Sequence, residues 1–439
     1  MDVLFQKLTG KMTLTEKMER QMIAEQERIA HYRQVEQSPE LKEYLELQRI
    51  VTSKEFQQKK FNLIRTKYKN TKVYHTLQEY RSLQKNKTLQ LYLEVKDSDL
   101  LKEYLEFRNS DNYVRLQSKK EVRNSLELKQ MLMFEKSKGY KAYLQYKSSK
   151  TPARFLELQK LIGSEEFQEE YALWSNPKRW RTTDEYRQEM RLRQLSLSPD
   201  IIFFTKENKA KIEKLEEWET TFSDDFDWLR MSDSLWDTGF VYKNKKLPRY
   251  HSFANEQQAN NKGKNVGAVD GKMKIFTKRE KTIAPAWDAK LGFINKEFEY
   301  TSDIVQTADK FRQQEGLFMA KIRVVGNIHH AFWLGSEGKL PLISIFHFDG
   351  KHITVGNYTK NGFRGKVIKG ISAKLYYIYS LKWTKDELIW YVNNIEVFRT
   401  AHDLPKEALY MAMSSFIDEK QRAQEGEMNI VWVKVFAHK

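Results

Sequence analysis

The feature that most constrains this chain is a change of pattern near residue 200. Up to about residue 195 the sequence is rich in Leu, Glu, Gln, Lys, Arg and Tyr and almost free of Gly and Pro. These are helix formers, and the few breakers sit at intervals. From Thr220 onward Gly, Trp, Val, Ile and Asn rise, and apolar and polar residues begin to alternate. A period near two means strands. With 439 residues, the chain has room for two or three domains. The pattern divides it into a helical repeat region over 1–196, a linker and connecting helix over 197–217, and a β-sandwich over 218–439.

The helical region repeats itself. YLELQRIVTSKEFQ (44–57) matches FLELQKLIGSEEFQ (155–168) at most positions, and YLEFRNSDNYVR (104–115) is a shorter relative. A serine, polar or acidic residues, then an aromatic recur in Ser53-Lys54-Glu55-Phe56, Ser110-Asp111-Asn112-Tyr113 and Ser164-Glu165-Glu166-Phe167. A serine hydroxyl can accept an orphan backbone N–H at a helix start, and acids there suit the helix dipole. The aromatic then begins the buried stripe. Such short units bury an apolar face only by packing on one another, so a helical repeat array with an interaction surface is expected, with a protein as partner. None of its motifs carries catalytic chemistry. Residues 12–36 read as one long helix.

Charge is uneven. Residues 51–150 hold 23 Lys and Arg against 11 Asp and Glu, within a net charge of +17 for the whole chain. That segment could face nucleic acid or another anionic surface. The lysines are interleaved with glutamates, which fits a solvated helical face equally well. The chain has no cysteine, so a cysteine nucleophile and thiolate metal sites are excluded. No cofactor motif is present. The N-terminus lacks the pattern of a signal peptide, and no apolar run approaches the ~18 residues of a membrane helix. A cytoplasmic protein is the default expectation. A virion component, or a protein released by lysis, would read the same.

Strand signals dominate the second half. LIWYVNNIEVFRT (388–400) reads as two strands around an Asn393-Asn394 turn. Residues 316–326, 331–335, 343–350, 352–359 and 428–439 read as further strands. Several motifs in this half fall in the order found in the family 16 glycoside hydrolases, the laminarinase, lichenase and carrageenase type. They are Phe222-Ser223-Asp224-Asp225-Phe226 with Leu235-Trp236; Asn265-Val266 with Asp270-Gly271-Lys272-Met273; Tyr300-Thr301-Ser302; the segment 315–323; His330-Ala331-Phe332-Trp333-Leu334; and Tyr377 through Thr384 with Ile389-Trp390-Tyr391-Val392. The second half therefore resembles that family, and the resemblance implies a concanavalin-type jelly roll of two sheets.

The same resemblance implies a catalytic strand carrying Glu-x-Asp-x-Glu, or a bulged form with one more residue. Alternate side chains of a strand share a face, and a bulge resets the facing by one. Here the strand is Leu340-Pro341-Leu342-Ile343-Ser344-Ile345-Phe346-His347-Phe348. The nucleophile position falls on Leu342 and the assisting position on Ser344. The acid/base position falls on Phe346, or on His347 with the bulge. None is a carboxylate, whereas retaining hydrolysis needs two carboxyls about 5–5.5 Å apart. The expectation is a degenerate, catalytically inactive hydrolase that binds a polysaccharide or serves as an interaction module. Trp333, His330, Phe346, His347 and Tyr358 are the expected ligand-binding residues. Two alternatives stay open: an active hydrolase on a β-glucan-type polysaccharide using acids elsewhere, and a structural virion or nucleic-acid-associated protein using residues 51–150. His329, His330, His347 and His352 form a loose histidine group, but spacing alone does not make it a metal site.

Overall fold

In a computed structural model the described residues are 3–230, 234–244, 246–337 and 340–439, with the side chain of Leu4 left aside. The chain divides into two compact units, one of Gln34–Lys206 and one of Met1–Arg33 with Glu207–Lys439.

The first of these is all helix and turn. Helices start where the serines stand. Ser53 Oγ accepts from Phe56 N at 3.2 Å and Ser164 Oγ from Phe167 N at 3.3 Å, and both phenylalanines are buried. Ser38, Ser98 and Ser137 cap in the same way. Each cap stabilises by about 1 kcal/mol. Ser110 departs from the pattern: it makes no cap bond, and Asp111–Gln117 is a 3₁₀ segment with nothing buried. The helices pair across the unit. Pro39–Val51 packs on Asp184–Leu195, Lys72–Gln84 on Thr151–Ile162, and Lys87–Val95 on Lys138–Tyr146. Small clusters result, such as Leu101, Tyr104, Met131, Phe134 and Tyr140, or Val51, Phe56, Leu63 and Trp180. Some basic residues of 51–150 are engaged locally: Lys59 pairs with Glu185 and Lys60 with Glu189.

The stretch read as linker, 197–217, holds two helices. Pro199 opens Pro199–Lys206, where its missing N–H is harmless, and Ile201 is buried with Val35 and Leu41. Lys209–Glu216 precedes the first strand, Trp218–Asp224.

The second unit is a two-sheet sandwich. The smaller sheet runs, in spatial order, Gly362–Ile368, Ile353–Thr359, Leu342–Asp349, His329–Gly335, Tyr410–Phe416, Ile304–Gln306, Asp237–Thr238. In the larger sheet the central order is Leu388–Val392, Tyr377–Trp383, Gly316–Val325, Gly426–His438, Met273–Asp288, Gly292–Ser302. Alternation fills the space between them. Phe318, Ala320 and Ile322 point in from one sheet, and Phe332, Leu334 and Ile343 from the other, with Trp383 and Trp390 among them. The 388–400 hairpin forms as read, with Asn393 in the left-handed region at φ 50°.

Residues 1–33 group with the sandwich rather than with the helical region that the sequence pattern assigned them to. The reason is a set of contacts far apart in sequence. Asn393 Nδ2 donates to Thr13 O at 2.8 Å and to Thr15 Oγ1 at 3.2 Å. Trp432 Nε1 and Lys321 Nζ both donate to Glu19, each at 2.6 Å. Met18 and Met22 cover Met319, Ile378 and Trp432, and Val3 and Met12 join the main core.

Candidate functional site

A bulge sets the site's floor. Strand His329–Gly335 pairs with Leu342–Asp349 so that Phe332 faces Phe346 and Trp333 faces Ser344, leaving Ile345 as the extra residue. The next strand repeats the shift: Ser344 faces Gly356 and His347 faces Thr354. Ile345 and Phe346 both enter the core. Leu342, Ser344 and His347 are therefore left on the opposite face, at the spacing the bulged motif requires.

That face opens into a groove of about 840 Å³. Trp333, Gly335, Leu342, Tyr410 and Ser414 belong to its floor. The Trp333 ring lies 5.9 Å from Tyr410, and its Nε1 approaches Ser414 Oγ at 3.5 Å. A second set of rings forms a wall. Trp287 and Phe293 stand on the hairpin of Met273–Asp288 and Gly292–Ser302, 4.9 Å apart, and His251 sits 5.2 Å from Phe293. The His251 Nδ1–H donates to Pro248 O at 2.9 Å, so Nε2 accepts from Tyr242 Oη at 3.2 Å. Burial holds this imidazole below its ordinary pKa. Two parallel bridges tie the wall down, Ser252–Phe253 on Ala286–Trp287 and Gln258–Asn260 on Tyr300–Ser302.

The positions where acids were expected are neutral. Leu342 is apolar. Ser344 Oγ is buried and has no hydrogen-bond partner. His347 Nε2 lies 2.9 Å from His329 Nδ1, and His329 stacks on Phe416 at 4.4 Å. Burial, reinforced by His329, pushes His347 down to about 4. Burial lowers His329 as well. Near neutral pH this pair is uncharged, so His347 has no proton to spare as a general acid.

Acids do reach the groove, from elements other than this strand. Asp303 accepts the backbone N–H groups of Asn261 at 3.1 Å and Asn265 at 2.9 Å, and burial raises it to about 6. Glu337 pairs with Arg312 at 2.7 Å. Glu256 and Asp418 line the same space. Asp224, in the entry motif, is structural: it accepts from Trp236 Nε1 at 2.9 Å and from Phe226 N at 2.8 Å.

Of the expected ligand-binding residues, Trp333 lines the groove, while His347 shares the strand face of Leu342 and Ser344 but lies outside the lining. Tyr358 pairs in register with Leu342 but packs on Phe363 at 4.4 Å, outside the lining. His330 and Phe346 require correction. His330 alternates with Trp333 and points inward, fully buried, with Nδ1 on Ser415 Oγ at 2.8 Å. Phe346 is turned into the core by the bulge, 4.5 Å from Tyr379. The histidine group divides accordingly. His329 and His347 stack together outside the groove's lining, His330 faces the core, and His352 is exposed beside Asp349. Among the described residues no group of three or more His, Asp or Glu is placed to hold a metal ion. The wall residues Tyr242, His251, Phe253, Trp287 and Phe293 escaped the sequence reading. Their one local signal was the Asp288–Gly292 turn.

With this geometry in hand, comparison with known proteins is informative for the sandwich. No protein-family profile matches the chain. The endo-1,3-1,4-β-glycanase ExsH of Rhizobium meliloti (strain 1021) is 24% identical over 244 residues, 49% of this chain and 51% of that protein. The chain thus spans about half the length of the curated relative it matches. Similar solved structures include the laminarinase catalytic domain of Thermotoga maritima, with 16% identity, 51% of this chain and 99% of that one covered, and a TM-score of 0.41. The laminarinase of Rhodothermus marinus has 18% identity, coverage of 50% and 97%, and a TM-score of 0.40. SCLam, a non-specific endo-β-1,3(4)-glucanase from family 16, has 20% identity, coverage of 51% and 92%, and a TM-score of 0.41. The second unit is a two-sheet jelly-roll sandwich. It is similar to the family 16 glycoside hydrolases.

Proposed function

We propose that the sandwich binds a polysaccharide of the β-glucan class in this groove without cleaving it. One observation carries the reading. The bulged strand presents a cleft floor of the hydrolase type, but with Leu342, Ser344 and His347 in place of carboxylates. Leucine cannot form a glycosyl ester, Ser344 Oγ hydrogen-bonds no base among the described residues, and His347 is held neutral. The rest of the cleft suits sugar. Exposed ring faces at Trp333, Trp287 and Phe293 can stack on pyranose rings, and the polar groups among them can fix orientation. The relative's name, an endo-1,3-1,4-β-glycanase, makes mixed-linkage β-glucan the first ligand to try.

The test uses the full chain. Binding to mixed-linkage β-1,3-1,4-glucan and to laminarin is measured by calorimetry, with a reducing-sugar assay on the same samples. Binding with no new reducing ends supports the reading. Release of reducing ends would show an active hydrolase using other acids. No binding to either polymer would remove the glycan reading and leave an interaction module. Among the described residues no helix is long and apolar enough to cross a membrane.

A further inference from the structure

Two carboxyls in the groove belong to none of the positions discussed for the bulged strand. Glu256 and Asp418 face one another in an isolated antiparallel bridge, and both line the groove that holds Trp333. Directly opposed residues in such a pair have Cβ atoms about 4.5–5.5 Å apart on the same side. The two carboxyls are therefore neighbours.

The backbone around them is fixed firmly. Gln257 N donates to Ile417 O at 2.9 Å, and Glu419 N to Asn255 O at 2.9 Å. Ile417 N donates to Gln258 Oε1 at 2.6 Å. Gln257 Nε2 donates to Asp418 O at 2.7 Å and to Gln421 O at 2.9 Å.

The carboxyl of Glu256 is half committed. Its Oε2 accepts from Phe253 N at 2.9 Å and from Gln258 Nε2 at 3.0 Å. Its Oε1 makes no hydrogen bond among the described residues. The cation nearby opposes the effect of burial only in part, and its hydrogen bonds go to backbone. Lys296, on strand Gly292–Ser302, donates to the carbonyls of Ala254 and Glu256, both at 2.7 Å. Asp418 Oδ1 accepts from the Lys420 backbone N–H at 2.9 Å, not from an ammonium. The next ionisable group that feels Asp418 is His329, which burial keeps neutral.

We propose that Glu256 and Asp418 grip the glycan together, Glu256 donating Oε1–H to a sugar oxygen and Asp418 accepting from a sugar hydroxyl. This rests on the glycan-binding reading of the groove and assigns its polar, specificity-determining end. A like charge this close in a partly buried site favours the protonated form of Glu256. Burial raises the Glu256 carboxyl to about 7, and the Asp418 charge adds to the effect.

The grip is tested with the full chain and a mixed-linkage β-1,3-1,4-glucan oligosaccharide. Affinity is measured at pH 5.5 and 8.5 for wild type, Glu256→Gln and Asp418→Asn. Wild type is expected to weaken by about tenfold between the two pH values, the size of one hydrogen bond. Glu256→Gln keeps a permanent donor toward the groove and should lose that dependence. It retains Asp303, whose own titration near 6 then supplies the background. Asp418→Asn should weaken binding at both pH values and move the midpoint downward. Identical pH profiles for wild type and Glu256→Gln would overturn the proposal.

A second readout needs no ligand. A carboxyl with a raised folded-state pKa holds its proton in the folded chain to higher pH than in the unfolded one. The melting temperature of wild type should therefore fall below that of Glu256→Gln as pH rises from about 4.5 through 7. A difference that does not change with pH would sink the protonated Glu256 donor. A changing difference with no sugar binding at either pH would sink the grip and the proposed function together.

Discussion

Gly335→Ala tests whether the Trp333 ring works as a sugar platform, because it moves the ring without removing it. Gly335 has ordinary backbone angles, so alanine there is not strained by itself. The obstacle is Trp333: a methyl carbon on residue 335 would sit 2.5 Å from Cζ3 and 3.1 Å from Cε3 of the indole. Carbon atoms rest about 3.5–4.0 Å apart, so the ring must shift by roughly 1 Å. Tyr410, 5.9 Å away, and Ser414 bound it on the strand side, and the groove is the open direction. The displaced indole would occupy part of the volume a sugar needs. A stacked pyranose covers on the order of 60 Å² of ring, worth about 1.5 kcal/mol at about 25 cal/mol per Å². Losing it weakens binding about tenfold. Calorimetric titration of the full chain with a mixed-linkage β-glucan hexasaccharide should show that loss for Gly335→Ala and for Trp333→Ala alike. Overpacking should cost Gly335→Ala about 1–3 kcal/mol of stability. If Trp333→Ala loses affinity while Gly335→Ala binds as wild type does, the steric reasoning is wrong. If neither loses affinity, Trp333 is not a platform.

Further predictions concern the positions the sequence assigned differently. Phe346→Ala should cost about 3–5 kcal/mol in denaturant unfolding, as a core cavity does, and leave the affinity of the folded protein unchanged; a specific loss of affinity would return Phe346 to the groove. Asn393→Ala removes the bonds to Thr13, Thr15 and the Ile378 N–H and places alanine in the left-handed region, for about 3 kcal/mol. Asn393→Gly, which relieves only the backbone, should cost about 1 kcal/mol less, and equal losses would refute the backbone contribution. Ser164→Ala should lower the stability of the helical unit by about 1 kcal/mol, read by thermal unfolding. His347 has a folded-state pKa near 4, so the folded chain resists its protonation. As pH falls from about 6.5 toward 4, wild type should lose stability relative to His347→Gln by at most about 3 kcal/mol. A parallel decline of the two proteins would show that the imidazole is not held neutral.

Local physics was legible in the sequence, and long-range pairing was not. The serine caps were readable because cap, acid and aromatic lie within four residues, and the Asn393-Asn394 turn because its signal is in two. Ser110 misled because its neighbours Asn112 and Tyr113 bury nothing, so no packing draws a helix from the cap. The degenerate strand could be aligned, yet its facing could not be fixed. The two spacings differ by one residue, and only the pairing of Phe332 with Phe346 chooses between them. His330 was misplaced for a related reason: a residue beside a motif can sit on the other face of the strand. The aromatic wall and the placement of residues 1–33 left almost no trace. Parallel bridges such as Phe253 to Trp287, and bonds such as Asn393 to Thr13, join segments with no shared local pattern.

The bulge and the carboxylates separate in this chain, and packing explains how they can. Residues 345 and 346 are held in place by the core: Ile345 and Phe346 are both buried there, and Trp390 Nε1 donates to Ser344 O at 2.8 Å. Nothing in that arrangement depends on what residues 342, 344 and 347 carry on the other face. The bulge can therefore persist whatever side chains those three positions carry. The replacements also change what the floor prefers. A pair of close carboxylates repel each other and hold water; a leucine, a buried hydroxyl and a neutral imidazole under a stacked ring do neither. The acids that do line this groove are tied to backbone N–H groups, to Arg312 or, for Glu256, also to the Gln258 amide. An uncharged floor with polar groups at its side is the arrangement on which the proposed binding without cleavage rests.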